Sequence, residues 1–213
     1  INKAVAGVYP PGSTFKPAVA MAALQARSVS PPDRVFCPGY LDVRGTRFHC
    51  WSRWGHGSVD MHDALKYSCD VYFYEIARRV GMDHIAQTAN QLGLGVPLDI
   101  ELPHTRDGLI PTPAWRKAHH HHWNGGDTIV SGIGQGFIQV TPPQLATYTA
   151  RMLTGRAVQP HPMRAITGDI SPMAIAENWP SLNTPAKLLP PLRAGMSSGA
   201  TIPQGIALHA LLH

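Results

Sequence analysis

Val8-Tyr9-Pro10-Pro11-Gly12-Ser13-Thr14-Phe15-Lys16-Pro17 is the stretch that sets the frame for the chain. Pro10, Pro11 and Gly12 spell a turn. An apolar, alanine-rich run with helical spacing follows: Phe15, Val19, Ala22, Ala23 and Ala26. A helix is expected over residues 14–27, with Ser13 at the position that favours a hydroxyl cap. Pro17 still falls in the first turn, where its missing N–H costs least. Ser13 and Lys16 are three residues apart and lie on one face of that turn. A hydroxyl is a weak nucleophile until a base takes its proton. An amine serves as that base only when neutral, a state favoured by burial or nearby positive charge. The positive end of the helix dipole favours anionic charge developing at Ser13.

On its own Ser-x-x-Lys decides little. About one chance occurrence is expected in a chain this long at average residue usage, and the plain alternative is a capped helix with a surface lysine. Companions must come from the rest of the 213 residues. That length suffices for one good core or a large subdomain, and 44% hydrophobic content places the chain in the globular class. No uncharged apolar run approaches the ~18 residues a bilayer span needs. The net charge of +5 is spread without a Lys/Arg tract, which argues against nucleic acid as the partner. The chain starts at Ile1 with no initiator methionine or signal peptide, so a fragment lacking its N-terminal part is expected.

Residues 28–59 lack sustained periodicity and are expected to form a long excursion with short strands, which needs something to hold it. Asp60 can cap a helix over Met61–Tyr67. Ser68-Cys69-Asp70 then precedes a helical stripe of Phe73, Ile76, Ala77 and Val80, closed by Gly81. Another helix is expected over Met82–Leu92. Residues 94–127 read as loop, including the run His119-His120-His121-His122, for which a solvated loop or adventitious metal binding are the options. Ser131–Leu145 reads as a glycine-rich strand leading into a helix capped by Thr141 with Pro142 at its first position. Gly134-x-Gly136 lacks the third glycine and βαβ context of a phosphate loop. Residues 156–213 show no pattern strong enough for an assignment.

Gly7-Val8-Tyr9-Pro10-Pro11-Gly12-Ser13-Thr14-Phe15-Lys16-Pro17 resembles the first active-site motif of the penicillin-binding proteins, serine D,D-transpeptidases that cross-link peptidoglycan. Ser68-Cys69-Asp70, between two expected helices, resembles the second motif, Ser-x-Asn or Ser-x-Asp. With Trp51-Ser52-Arg53-Trp54-Gly55-His56-Gly57 and the aromatic-rich helix after Asp70, the chain is similar to the elongation-type class B branch, the penicillin-binding protein 2 group. The resemblance implies an α/β (α+β) fold of the serine β-lactamase and D,D-peptidase type, mainly its helical subdomain with an incomplete sheet. Residues 1–213 would be a partial transpeptidase domain lacking the N-terminal anchor and pedestal. It implies Ser13 as nucleophile, Lys16 and Ser68 moving the proton, and Asp70 orienting the lysine and substrate. The third motif, Lys-Thr/Ser-Gly, is absent: no lysine here is followed by Thr/Ser-Gly, and Ser197-Ser198-Gly199 lacks the cation. The fragment is therefore expected to be catalytically incomplete.

The resemblance further implies peptidoglycan stem peptides and β-lactams as ligands, the cell-wall elongation machinery as partner, and the periplasmic face of the bacterial inner membrane as location. Two rivals are a β-lactamase or β-lactam sensor of the same fold, and a non-enzymatic zinc-stabilised binding module.

Cys37, Cys50, His56 and Cys69 use all three cysteines. Soft and imidazole ligands suit tetrahedral zinc, although no Cys-x-x-Cys spacing is present. The resemblance implies a zinc site near the second motif in some family members, with ligands at corresponding places. Here Cys37 and Cys50 would stand where that pattern has aspartates. The alternatives are a Cys37–Cys50 disulfide or three buried thiols, with His49 and His62 as rival ligands.

Overall fold

The computed structural model describes residues 3–100, 103–160 and 179–201. In chain order the helices are α1 (Lys3–Ala6), α2 (Lys16–Gln25), α3 (Met61–Lys66), α4 (Asp70–Val80), α5 (Met82–Gln91), α6 (Pro113–Ala118), α7 (Gly125–Ser131), α8 (Pro142–Thr154) and α9 (Leu189–Ala200). The strands are β1 (Val35–Cys37), β2 (Tyr40–Val43), β3 (Thr46–His49) and β4 (Gly57–Val59). No helix among them is long and apolar enough to cross a membrane.

α2 forms the axis of the core. Every residue from Lys16 to Leu24 is buried, as expected of a helix that is apolar all round. It packs against α4, α5 and α9. α4 buries Phe73, Ile76, Ala77 and Val80 and leaves Arg78 and Arg79 in solvent, paired with Glu75. The period-3.6 stripe in the sequence had located this face. Asp60 caps α3 by accepting from the Asp63 N–H at 3.0 Å. Thr141 caps α8 in a reciprocal box with Gln144, with Pro142 at the first position.

The excursion from 28 to 59 forms two small antiparallel sheets. β1 pairs with β4, with Cys37 opposite Gly57. β2 pairs with β3, with Tyr40 opposite His49. Arg44 and Gly45 join the second pair with φ of 53° and 85°, the conformation of a two-residue hairpin turn matched to strand twist. The α+β class and the short strands of the excursion are as expected.

Three local expectations are corrected, and a segment that the sequence left unassigned gains a helix. Ser13 does not cap a helix: residues Gly12–Phe15 form a 3₁₀ turn, α2 begins at Lys16, and neither start carries a side-chain cap. Residues 131–140 are not a strand. They form glycine turns and two isolated bridges, Tyr9 to Val140 and Leu109 to Gln139, because Gly134 and Gly136 adopt φ of 72° and 75°, outside the extended region. The segment 94–127 contains the short helix α6 and the start of α7. Within 156–213, α9 appears over Leu189–Ala200 and packs on α3; residues 161–178 and 202–213 lie outside the described residues.

Candidate active site and thiol cluster

Three segments meet at Ser13. The Pro10–Ser13 turn is held by Tyr9, whose N–H donates to the Val140 carbonyl at 2.9 Å and whose carbonyl accepts from the Val140 N–H at 2.9 Å. The Gly12 N–H donates to the Gly134 carbonyl at 2.9 Å. A Cβ on Gly134 would collide with the Gly12 carbonyl oxygen, so two turns pack backbone to backbone only because residue 134 has no side chain.

Lys16 is wholly buried, and its ammonium has three acceptors in reach. These are the Ser68 carbonyl at 2.8 Å, Ser68 Oγ at 2.8 Å and Asp70 Oδ1 at 2.6 Å. The Phe73 ring lies 5.6 Å from Nζ. Ser68 Oγ in turn donates to Ser13 Oγ at 3.0 Å. Ser13 and Lys16 thus communicate through Ser68. The arrangement gives a buried cation its compensating anion and hydrogen bonds. It also leaves Ser13 Oγ, half-buried, as the exit of a proton chain. Ser68 holds its position with a left-handed φ of 52° between α3 and α4.

Ser13 opens into a cleft of about 690 Å³ lined by Pro10–Ser13, His49, Trp51, Asp70, Tyr74 and Gln135 among others. A larger groove of about 1180 Å³ lies elsewhere, along the end of α2 and α5, with Arg27, Asp33 and His84 on its walls. It contains none of the four residues of the proton chain and ion pair, so the chemistry belongs to the smaller cleft.

Behind the cleft sit Cys37, Cys50, His56 and Cys69, whose ligand atoms all lie within 4.8 Å of one another. The three cysteines are free thiols, so the disulfide alternative is not the state seen. His56 Nδ1 lies 3.7 Å from Cys37 Sγ and 3.6 Å from Cys50 Sγ. A tetrahedral zinc with Zn–S of about 2.3 Å and Zn–N of about 2.05 Å has an S···N edge of about 3.6 Å, so the donor set fits that ion. Hydrogen bonds from Cys50 and then Cys69 pull the Cys37 thiol down. Cys37 raises Cys50, yet Cys69 and His56 leave it lowered overall. Cys37, Cys50 and burial push Cys69 up. Three packed thiols cannot all ionise alone; a cation among them removes that conflict. The His56 ring is set by Tyr67, stacked at 6.2 Å, and Trp51, edge-on at 5.3 Å.

Ser13, Lys16, Ser68 and Asp70 therefore converge, and so do Cys37, Cys50, His56 and Cys69. The rival ligands do not join the cluster. His49 lines the cleft, and His62 sits on α3 near Asp60 and Asp63, with Nε2 3.1 Å from Ser198 Oγ. His119 ends α6, its Nδ1 2.9 Å from the Trp115 carbonyl, in an exposed turn. Sequence reasoning missed Phe73 beneath the lysine and the hydrogen bonds of Trp51. The first was visible only as a core-stripe residue, the second only as part of an aromatic loop.

The family profile for the penicillin binding protein transpeptidase domain matches residues 1–208. A peptidoglycan D,D-transpeptidase MrdA from Acinetobacter baumannii is 42% identical over 171 residues, 78% of this chain and 25% of that protein. Its namesake from Haemophilus influenzae is 38% identical over 189 residues, 86% of this chain and 29% of that protein. The chain thus spans between a quarter and a third of the length of these curated relatives. Among solved structures, Pseudomonas aeruginosa PBP2 in complex with WCK 5153 superposes with a TM-score of 0.85 at 34% identity, over 99% of this chain and 48% of that one. Helicobacter pylori PBP2 in complex with MreC gives 0.85 at 27% identity, over 98% and 38%.

Proposed function

The chain belongs to the penicillin-binding protein transpeptidase family, and on that premise we propose that it carries the acylating centre of a peptidoglycan D,D-transpeptidase. The observation that supports this reading most directly is the chain Ser13 Oγ, Ser68 Oγ, Lys16 Nζ, with Asp70 closing it. In the forward step Ser13 Oγ attacks the penultimate D-Ala carbonyl of a stem peptide. With the Ser13–Ser68 hydrogen bond turned from its resting direction, the Ser13 proton passes to Ser68 Oγ as Ser68 gives its own to Lys16 Nζ, a step open only to molecules in which that amine has first given up a proton. The ammonium so formed is held by Asp70 and the Ser68 carbonyl. The proton returns along the same path to the departing amine as the peptide C–N bond breaks. An amine of a neighbouring strand then attacks the Ser13 ester and loses its proton to the same relay, which returns that proton to Ser13 Oγ as the acyl C–Oγ bond breaks and the new amide leaves. β-Lactams acylate Ser13 by the same route, their ring amide standing for the scissile peptide.

The test is covalent labelling of the full-length protein by a fluorescent penicillin. We expect a long-lived adduct that Ser13→Ala abolishes. Labelling that survives Ser13→Ala would refute the assignment, and an adduct hydrolysed within seconds would turn it toward a β-lactamase.

The cluster of Cys37, Cys50, His56 and Cys69 is proposed to hold one structural zinc ion, on the strength of its donor set and edge lengths. When bound, the ion would tie the 28–59 excursion to the Ser68–Asp70 loop; Ser13 and Lys16 remain the reacting groups. One equivalent of zinc per chain, lost in Cys69→Ser, is the expected metal analysis. By relation to PBP2, including one solved with MreC, the full protein is proposed to act with the cell-elongation machinery at the outer face of the inner membrane.

A further inference from the structure

Trp51 connects the two centres described above. Its backbone N–H donates to Asp70 Oδ2 at 2.9 Å. Its indole N–H is shared between the Ser68 carbonyl at 3.1 Å and the Tyr67 carbonyl at 3.1 Å. Two of these acceptors are groups that also hold Lys16: the Ser68 carbonyl accepts from Nζ, and Asp70 pairs with Nζ through its other oxygen. Trp51 follows Cys50 directly, and Ser68 and Asp70 flank Cys69, so the contacts to these two residues lie one residue from a member of the thiol cluster at both ends. Trp51 also lines the Ser13 cleft and a second, smaller pocket that holds Arg53.

From this double grip we infer that Trp51 is a positioning residue for acylation: it fixes the Ser68 carbonyl and the Asp70 carboxylate in the orientation that delivers Lys16 to Ser68 Oγ. The inference rests on the acyl-transfer function proposed above. The physical case is geometric. Ser68 sits alone in a left-handed conformation at a helix junction, and a peptide there can rotate its carbonyl at modest cost unless a donor pins it. The indole is that donor. Without it the Ser68 carbonyl keeps Lys16 Nζ as its partner, a group that itself moves a proton in the proposed step, and the Lys16–Ser68–Ser13 relay loses a donor that takes no part in the transfer. A displacement of a fraction of an ångström in such a relay lowers rate more than binding.

Trp51→Phe keeps an aromatic side chain against the cleft and the backbone N–H, removes the indole donor and shortens the ring. In full-length protein we expect its acylation rate constant with a penicillin to fall about tenfold. Its pre-covalent binding constant, zinc content and melting temperature should stay at wild-type values. Trp51→Ala, which also removes the wall, should weaken pre-covalent binding in addition. An acylation rate for Trp51→Phe within twofold of wild type would overturn the inference. So would a fall matched by lost zinc or a lowered melting temperature, because the residue would then be a scaffold element only. Ser13→Ala, run beside it, separates this outcome from failure of the transpeptidase assignment: that variant must lose the adduct whatever Trp51 does.

Discussion

The two walls of the cleft are held in different ways. On the Ser13 side the turn passes into α2, whose residues from Lys16 to Leu24 are all buried, and the turn is laced to residues 134–140 by backbone hydrogen bonds. Hydrophobic packing fixes that wall. On the Trp51 side the chain makes a 32-residue excursion with short strands, an exposed Phe36 and a nearly bare Trp54. Its burial near the site centres on Cys37 and Cys50, which face Cys69 of the α3–α4 loop. Under the proposed zinc, a few thiols and one imidazole would do for this wall what a whole helix does for the other. Ser13 and Lys16 therefore belong to the packed wall, while Ser68 and Asp70, which hold Lys16 Nζ, are shared with the excursion side.

The sharpest way to break this comparison is to unseat the shared residue. Lys16→Ala leaves the Asp70 carboxylate facing a buried gap. It should cost about 3–5 kcal/mol in unfolding experiments on the full-length protein and abolish penicillin labelling. Lys16→Met combined with Asp70→Asn should recover most of the stability and none of the labelling, which separates the fold from the chemistry. A somewhat smaller effect is expected from Cys69→Ser. Hydrogen exchange should show protection across residues 35–59 falling by about 100-fold or more, with α2 and α5 unchanged. Equal loss in α2 would mean that the two walls are one cooperative unit. The mildest change is Gly134→Ala. Its Cβ meets the Gly12 carbonyl and its φ is positive, so a loss of about 1–3 kcal/mol is expected. Acylation should slow while the zinc content stays at one equivalent; loss of metal in this variant would erase the distinction between the walls.

The sequence revealed the site better than it revealed the scaffold, for physical reasons. Ser13, Lys16, Ser68 and Asp70 are chemically specific, and their motifs sit at element junctions that glycine, proline and apolar stripes mark clearly. The four cluster residues are soft ligands in a segment with nothing else to hold it. The cap assigned to Ser13 failed because Pro10-Pro11-Gly12 winds the chain into a 3₁₀ turn before α2 starts, which turns the hydroxyl toward Ser68. α9 went unread because Leu189-Pro190-Pro191-Leu192-Arg193-Ala194-Gly195 looks like a breaker sequence. The two prolines sit harmlessly in its first turn, and Gly195 is the close-approach point where α9 rides over Leu65. Trp51 was quoted as part of an aromatic loop, but a hydrogen bond from an indole to a carbonyl 17 residues away leaves no periodic trace.

The positive φ of Ser68 limits what evolution or an engineer can place there. Threonine would keep an alcohol for the relay, but its branched Cβ is poorly tolerated in that region of backbone space. Glycine or asparagine would relax the backbone and remove the alcohol. Serine is the small side chain that satisfies both demands, so if the proposed acylation holds, variants that escape it have few routes through this position and more on the walls around it.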